Sequence, residues 1–317
     1  MATTRAREEA TTTWQGDAKA RIRRSTGEAA RQRLLTGVPV TERRLELAGV
    51  STAVLEGGDG PPVVLLHGAG EFAACWIRVI PDLVRTRRVV VPDLPGHGTS
   101  AVAGDPPDAE RVAAWLGELI EWSCPSAPAL VGHGLGGAIA ARFAGDQGDR
   151  VARLVLVDSY GLGRFRPTPR FALALLGVIV RPTEHTQERL FRQCMADPNG
   201  LREQLGERGA LLEAYALDRA RSPGQKAALR SLMPQLGLPA IPPAELARIA
   251  VPTTLIWGRH DRQVRLGVAQ AASARHGWPL HVIEDAADDP AVEQPEAFLR
   301  GLHAALGPAA SSSRRQP

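Results

Sequence analysis

The chain has 317 residues, 44% of them hydrophobic and 23% charged, with a formal net charge of +4. That length can bury one large core with room for an inserted subdomain. No apolar run reaches the roughly 18 residues a membrane span needs, and aromatics make up only 4% without interleaving with arginine, so neither a membrane span nor a nucleic-acid stacking surface is expected.

Residues 1–40 read as a basic extension. They open without the apolar stretch of a secretory signal. One amphipathic helix is expected from about Asp17 to Leu35, ended by Gly37 and Pro39. Arg21, Arg23, Arg24, Arg31, Arg33, Arg43 and Arg44 supply most of the local charge. They read first as a solvated face, and second as a contact for an acidic partner or anionic headgroups. Cys75, Cys124 and Cys194 are far apart. Without a CxxC pair they favour a reducing, cytoplasmic setting over a disulfide frame or thiolate zinc.

"RRLELAGVSTAVLEGGDGPP" alternates apolar and polar residues and reads as an antiparallel pair. "VVLLHG", "RRVVVPDLPGHG", "ALVGHG", "VARLVLVDS", "TTLIWGRHD" and "LHVIEDAADD" are apolar runs closed by turn residues, as expected of strands buried on both faces. Helical patterns lie between them: "WIRVIPDLVRT", "DAERVAAWLGELIEWS", "LGGAIAARFAGD" and "EAFLRGLHAAL". Such alternation implies a mostly parallel sheet with right-handed crossovers. It breaks from about Gly161 to Ala250, where only helical patterns occur, and this stretch reads as an insertion over the sheet's carboxyl edge, a lid or cap. The tail 308–317 reads as disordered.

Ligands in open α/β sheets bind beyond the carboxyl ends of the strands. Those ends carry "LLHGAG", "VPDLPGHGTS", "GHGLGG", "WGRHD" and "EDAADDPAVEQPEAF". In this order and spacing the motifs resemble the α/β-hydrolase superfamily over roughly residues 42–307. The resemblance implies an eight-stranded, mostly parallel sheet with helices on both faces, a core of residues 41–160 and 251–307, a helical cap over 161–250, and a Ser–Asp–His triad in that chain order. The elbow Gly-x-Ser-x-Gly falls on Gly132, His133, Gly134, Leu135 and Gly136, so glycine stands where the nucleophile belongs. The acid falls on Asp261. The "EQP" run aligns through Pro290, Glu293, Gln294 and Pro295, which puts Asp288 in the histidine's place.

A covalent acyl-enzyme on Gly134 is then impossible, because serine attacks only when a base takes its proton. The resemblance places an oxyanion hole in the backbone amides of Ala69, Gly70 and Leu135, which side-chain loss leaves intact. Asp261 and Asp288 are expected to lie together and share a proton. Gly134 is expected to relax a strained turn and open space above it. His67, His133, Trp76 and His260 are placed in the pocket or just behind it, with structural packing the competing reading for the first three and solvent for His260. His97 and Asp93 read as fixing the "PGHG" loop. Asp158 ends a strand where some members carry the acid. Cys75 lacks an evident base. No cofactor and no metal are expected: the cluster of Asp261, Asp288, Asp289 and His260 matches no metal spacing. The ligand is expected to be small and apolar or carbonyl-containing, such as a polyketide-like secondary metabolite. Three functions stay open: a non-hydrolytic isomerase, cyclase or lyase; an inert ligand- or partner-binding pseudohydrolase; and a hydrolase using a directly activated water.

Overall fold

The computed structural model describes residues 27–308. The expected strands form one sheet. The hairpin β1 (Thr41–Leu47) and β2 (Val50–Gly57) is antiparallel, and β2 continues antiparallel onto β4 (Arg88–Pro92). From β4 the pairing is parallel through β3 (Pro62–Leu66), β6 (Ala129–His133), β7 (Arg153–Val157), β8 (Thr253–Gly258) and β9 (Leu280–Ile283). The order is β1-β2-β4-β3-β6-β7-β8-β9. A ninth strand, β5 (Ala101–Val102), pairs with β2, so the sheet has one short strand more than expected.

Strand alternation divides the core into two layers. In β3, Val64 and Leu66 face one layer, with Trp115, Leu135, Ile139 and Ala269; Val63 and Leu65 face the other, with Trp76, Ile80, Phe298 and Leu302. Helices α3 (Ala109–Ser123), α4 (Gly134–Asp146) and α11 (Leu266–His276) cover the first face. Helices α1 (Gly27–Leu35), α2 (Ile80–Leu83) and α13 (Pro295–Leu306) cover the second. The expected helix over "WIRVIPDLVRT" shrinks to a 3-10 turn at Ala73–Trp76 and the four-residue α2. Pro81 is the reason: lacking an N–H, it is tolerated in a helix's first turn but not inside one.

The first part of the expected N-terminal helix, and the tail from residue 309, lie outside the described residues. What is described of that helix, α1, does not present Arg31 to solvent. Arg31 is buried and paired with Glu42 at 2.8 Å, while α1 packs along a cap helix. The insertion supplies α5 (Pro169–Val180), α6 (Glu184–Cys194), α7 (Pro198–Leu205), α8 (Glu207–Arg221), α9 (Pro223–Leu232) and α10 (Pro243–Leu246). Proline starts four of these six, which explains why so long a helical pattern is cut into short pieces. Among these, α7 is started by Pro198, α9 by Pro223 and α10 by Pro243; α5 begins at Pro169 after the Thr168 cap.

Candidate functional site

β6 ends in an elbow whose geometry demands its outer glycines. A Cβ on Gly132 would stand 2.5 Å from Gly136 O, and one on Gly136 would stand 2.5 Å from Leu66 O. Both clashes are with backbone, which has no rotamer to yield. Gly134 differs. Its φ of +50° lies in the left-handed region, yet an added Cβ would meet only Gly68 Cα at 3.4 Å and Tyr160 Cζ at 3.8 Å. The position is therefore strained for a side chain but not blocked. The space above Gly134 is not open as expected: the Tyr160 ring lies there, held edge-on by Phe165 at 5.3 Å.

Two groups line the elbow from the side. His133 Nε2 donates to the backbone carbonyl of Asp288 at 2.7 Å, and Nδ1 meets Glu71 Oε2 at 3.1 Å. A carbonyl only accepts, so Nε2 carries a proton, and the second nitrogen faces a carboxylate. Burial alone lowers the imidazole's affinity for a proton, but Glu71, with Asp289 and Asp288, raises it well above the ordinary histidine value. Burial raises Glu71; His133 and the Gly68 amide, which donates at 2.7 Å, outweigh it and hold the carboxyl low. The pair is an imidazolium–carboxylate bridge tying the elbow to the loop after β3 and to the Asp288 backbone.

The carboxyls group differently from the expected pair. Asp261 Oδ1 accepts from the amides of Gln263 at 2.7 Å and Val264 at 3.1 Å. Asp158, which has a strained φ of +40°, accepts the Gly258 amide at 3.0 Å through Oδ1. The second oxygens, Asp158 Oδ2 and Asp261 Oδ2, are buried without a donor, and these two carboxyls interact directly. One shared proton satisfies both, so Asp158, not Asp288, is the immediate partner of Asp261. Asp288 Oδ2 instead accepts from the Gln263 side chain, whose Oε1 accepts from Tyr160 Oη at 2.6 Å. Cys194, at the end of α6, also contacts the Asp288 carboxyl, and its carbonyl accepts the Asp288 amide at 3.0 Å. Burial first, and Asp261 second, push Asp288 well above the usual carboxylate range. Burial raises Asp158 likewise and takes Asp261 to about 7.

The amides of Ala69, Gly70 and Leu135 have no acceptor among the described residues. Gly70 O accepts from the buried Gln225 side chain of α9 at 3.0 Å, so the cap reaches the loop assigned to the oxyanion hole. Trp76 is not in the pocket: it is buried in the layer below, 6.0 Å from the Phe298 ring. Its apolar neighbours in the short turn pull it inward. His260 is exposed, because its backbone is drawn to Ala286 O and its side chain is left in solvent. His67 lies beneath the site, bonding Gly68 O at 2.9 Å and the Leu94 amide at 3.0 Å. His97 is buried beside it, and Asp93 binds the amides of Ala73 and Thr99, pinning the "PGHG" loop. Glu71, Tyr160, Cys194, Gln225 and Gln263 were not legible as site residues. Only Glu71, within "HGAGE", carried a signal. Among the described residues no group of three or more His, Cys, Asp or Glu side chains is arranged to hold a metal ion. Two cavities, of about 580 and 310 Å³, open at the surface near His303 and His276, and neither borders Gly134 or Asp288.

This electrostatic arrangement sets a pH profile. Asp261 and Asp289 are pushed up to about 7 and Glu293 to about 6, chiefly by burial. Folded, these groups keep protons that the unfolded chain loses near pH 4, so their stabilisation is present at low pH and drains as pH rises through 7. His133, raised by its partners, acts in the same direction above 6.5. His67 and His97, lowered to about 4 by burial, oppose it, but only between about 4 and 6.5. The melting temperature should therefore fall by several degrees between about pH 6.5 and 8, and Asp261→Asn should flatten the fall. A level profile in calorimetry would mean these carboxyls ionise freely.

An open sheet of this order, a glycine elbow between β6 and α4, and a helical cap define an α/β-hydrolase-type protein. The chain belongs to the alpha/beta hydrolase family, whose model matches residues 63–300. It is 28% identical over 267 residues to the pimeloyl-[acyl-carrier protein] methyl ester esterase of Aliivibrio salmonicida, covering 79% of this chain and 94% of that one. It is 31% identical over 241 residues to 2-hydroxymuconate semialdehyde hydrolase of Pseudomonas sp. strain CF600, covering 72% and 80%. Two further matches are partial: the chain spans 30% of an acetyltransferase component of the acetoin cleaving system of Pseudomonas putida and 42% of the Aeromonas hydrophila pimeloyl esterase. In structure it resembles 2-hydroxy-6-oxo-6-phenylhexa-2,4-dienoate hydrolase of Rhodococcus sp. strain RHA1, with a TM-score of 0.73, 24% identity and 84% and 98% of the two chains covered. It also resembles a carboxylesterase of Bacillus subtilis, with a TM-score of 0.75, 21% identity and 92% and 98% coverage. No helix among the described residues is long and apolar enough to cross a membrane.

Proposed function

We propose that this chain is a non-covalent member of its family. It takes a small carbonyl compound at the elbow and acts on it by proton transfer through its buried carboxyls, as an isomerase, cyclase or lyase would. The observation that carries the reading is Gly134 in the nucleophile's place with the neutral Asp288 carboxyl in the base's place. A neutral carboxyl donates a hydrogen bond to a carbonyl oxygen, and the amides of Ala69, Gly70 and Leu135 offer further donors to the same oxygen. The Asp158–Asp261 pair, sharing one proton, can take a proton from the adjacent carbon and return it elsewhere. Two relatives with wide coverage act, by name, on a methyl ester and a semialdehyde, both small carbonyl compounds. A second reading, ligand binding without turnover, is favoured by one feature: Tyr160, bonded to Gln263, closes over Gly134. Hydrolysis by an activated water ranks below both, since it needs an ionised base over the elbow and Asp288 is held neutral there.

The test follows the proton. Small 1,3-diketones and aryl ketones are incubated in D₂O, and deuterium entry beside the carbonyl is read by NMR. Wild type should accelerate exchange, and Asp288→Asn should reduce it by about 100-fold, the lower end of general acid–base effects. A serine-directed fluorophosphonate should leave no adduct in intact-mass spectrometry. An adduct on a pocket serine would overturn the reading outright. Absent exchange with retained ligand binding would favour the second.

A further inference from the structure

The cap carries one helix whose surface does not suit water. α5 reads PRFALALLGVIV and, beyond Arg170 in its first turn, is apolar around its whole circumference. Phe171 and Ala174 turn inward, and the helix packs along α6. The opposite side stays bare: Leu173 is 59% exposed, Leu176 54%, Ile179 60% and Val180 74%. These positions recur at the spacing of one helical face. A helix apolar all round is normally buried on all sides or set against lipid, and a clustered bare patch marks an interaction surface. At 12 residues α5 is about 18 Å long, too short to span a bilayer but suited to lying in its surface.

The charge around it identifies the occupant. Arg164, Arg166 and Arg170 precede the bare face and Arg181 follows it, all exposed. None of the four guanidinium groups has a hydrogen-bond or ion-pair partner among the described residues. No Asp or Glu occurs between Asp158 and Glu184. An apolar face with cations at both ends is the pattern of an interfacial helix on anionic lipid. A second copy seated on the same face about a two-fold axis would bring like charges together, which disfavours self-association. The chain preceding Gly27 is itself arginine-rich, so it would repel this face rather than neutralise it. We propose that α5 is a docking surface for an anionic lipid bilayer, with Leu173, Leu176, Ile179 and Val180 in the acyl boundary and the four arginines on the headgroups. The proposal is independent of what the elbow does.

The test is co-sedimentation of the full chain with phosphatidylcholine vesicles, with and without phosphatidylglycerol, at low and high salt. Wild type should sediment with the anionic vesicles, and far less with neutral ones or at high salt. The triple variant Leu173→Ser, Leu176→Ser, Ile179→Ser keeps every arginine, including those before Gly27, and should lose at least about tenfold in partitioning. Replacing Arg164, Arg166, Arg170 and Arg181 by Gln should lose about fivefold per arginine and abolish the preference for phosphatidylglycerol. All seven positions are exposed or peripheral, so both variants should melt like wild type. No sedimentation of wild type, or retention by the triple variant, overturns the proposal. So does a wild-type dimer in sedimentation velocity that the triple variant converts to monomer, because a second copy would then cover the face.

Discussion

Replacing His133 by leucine is expected to destabilise the protein by about 3 kcal/mol, the lower end of what breaking a buried ion pair costs. The lower end applies because Glu71 keeps some access to water, its side chain being 23% exposed. The loss has two parts. Glu71 is left ionised with the Gly68 amide as its remaining partner, and the Asp288 carbonyl loses its 2.7 Å donor. In a chain of this size the melting temperature should fall by roughly 6 °C or more. Glu71→Gln alone should cost less, since a neutral amide still bonds. The double variant should recover part of the sum, because the unpaired charge is gone. Urea midpoints of the four proteins at pH 7 decide it. Additive losses would mean the two side chains do not form an ion pair, and the elbow would be fixed by packing alone.

The second large effect is a gain. Gly134→Ser with Asp288→His should produce esterase activity on short aryl esters at least about 100-fold above either single change, because nucleophile and base act as a unit. The site can receive both groups. A serine Cβ at residue 134 finds its nearest neighbours at 3.4 and 3.8 Å. Asp261 Oδ2 accepts from no N–H in the wild type, so a histidine N–H can take the place of the proton it shares with Asp158. The turn resists: with φ at +50° a side chain there costs on the order of 1–3 kcal/mol, so some stability loss accompanies the gain. The signature is a burst of acyl-enzyme in the double variant only. A folded but inert double variant would mean the pocket no longer admits a carbonyl to its amides, and ligand binding without turnover would become the better account.

The fold was legible because its signals are local. Strands β3, β4, β6, β7 and β8 are short apolar runs, and burial on both faces is what such runs require. The run of helices between β7 and β8 was legible for the converse reason, a long stretch with helical period and no strand. Its division into six helices follows largely from where proline falls. The α2 region was misread because one proline outweighs the apolar period around it.

By itself the sequence determined which reactive atoms the residues at the proposed site can carry. Gly134 has no nucleophile and Asp288 is no imidazole in any conformation, so that conclusion needs no coordinates. Tertiary structure alone decided the partners. His133 meets groups 62 and 155 residues away in the chain, and Tyr160 reaches Gln263 across 103. Asp261 is paired with Asp158 because β7 and β8 are adjacent parallel strands whose ends meet at one edge. Trp76 is buried and His260 is exposed because of how two loops turn, which residue type does not specify. Hydrogen bonds and buried charges act within a few ångströms, so roles that depend on them are set by what folding brings together, whereas the presence or absence of a reactive atom is set by the residue itself.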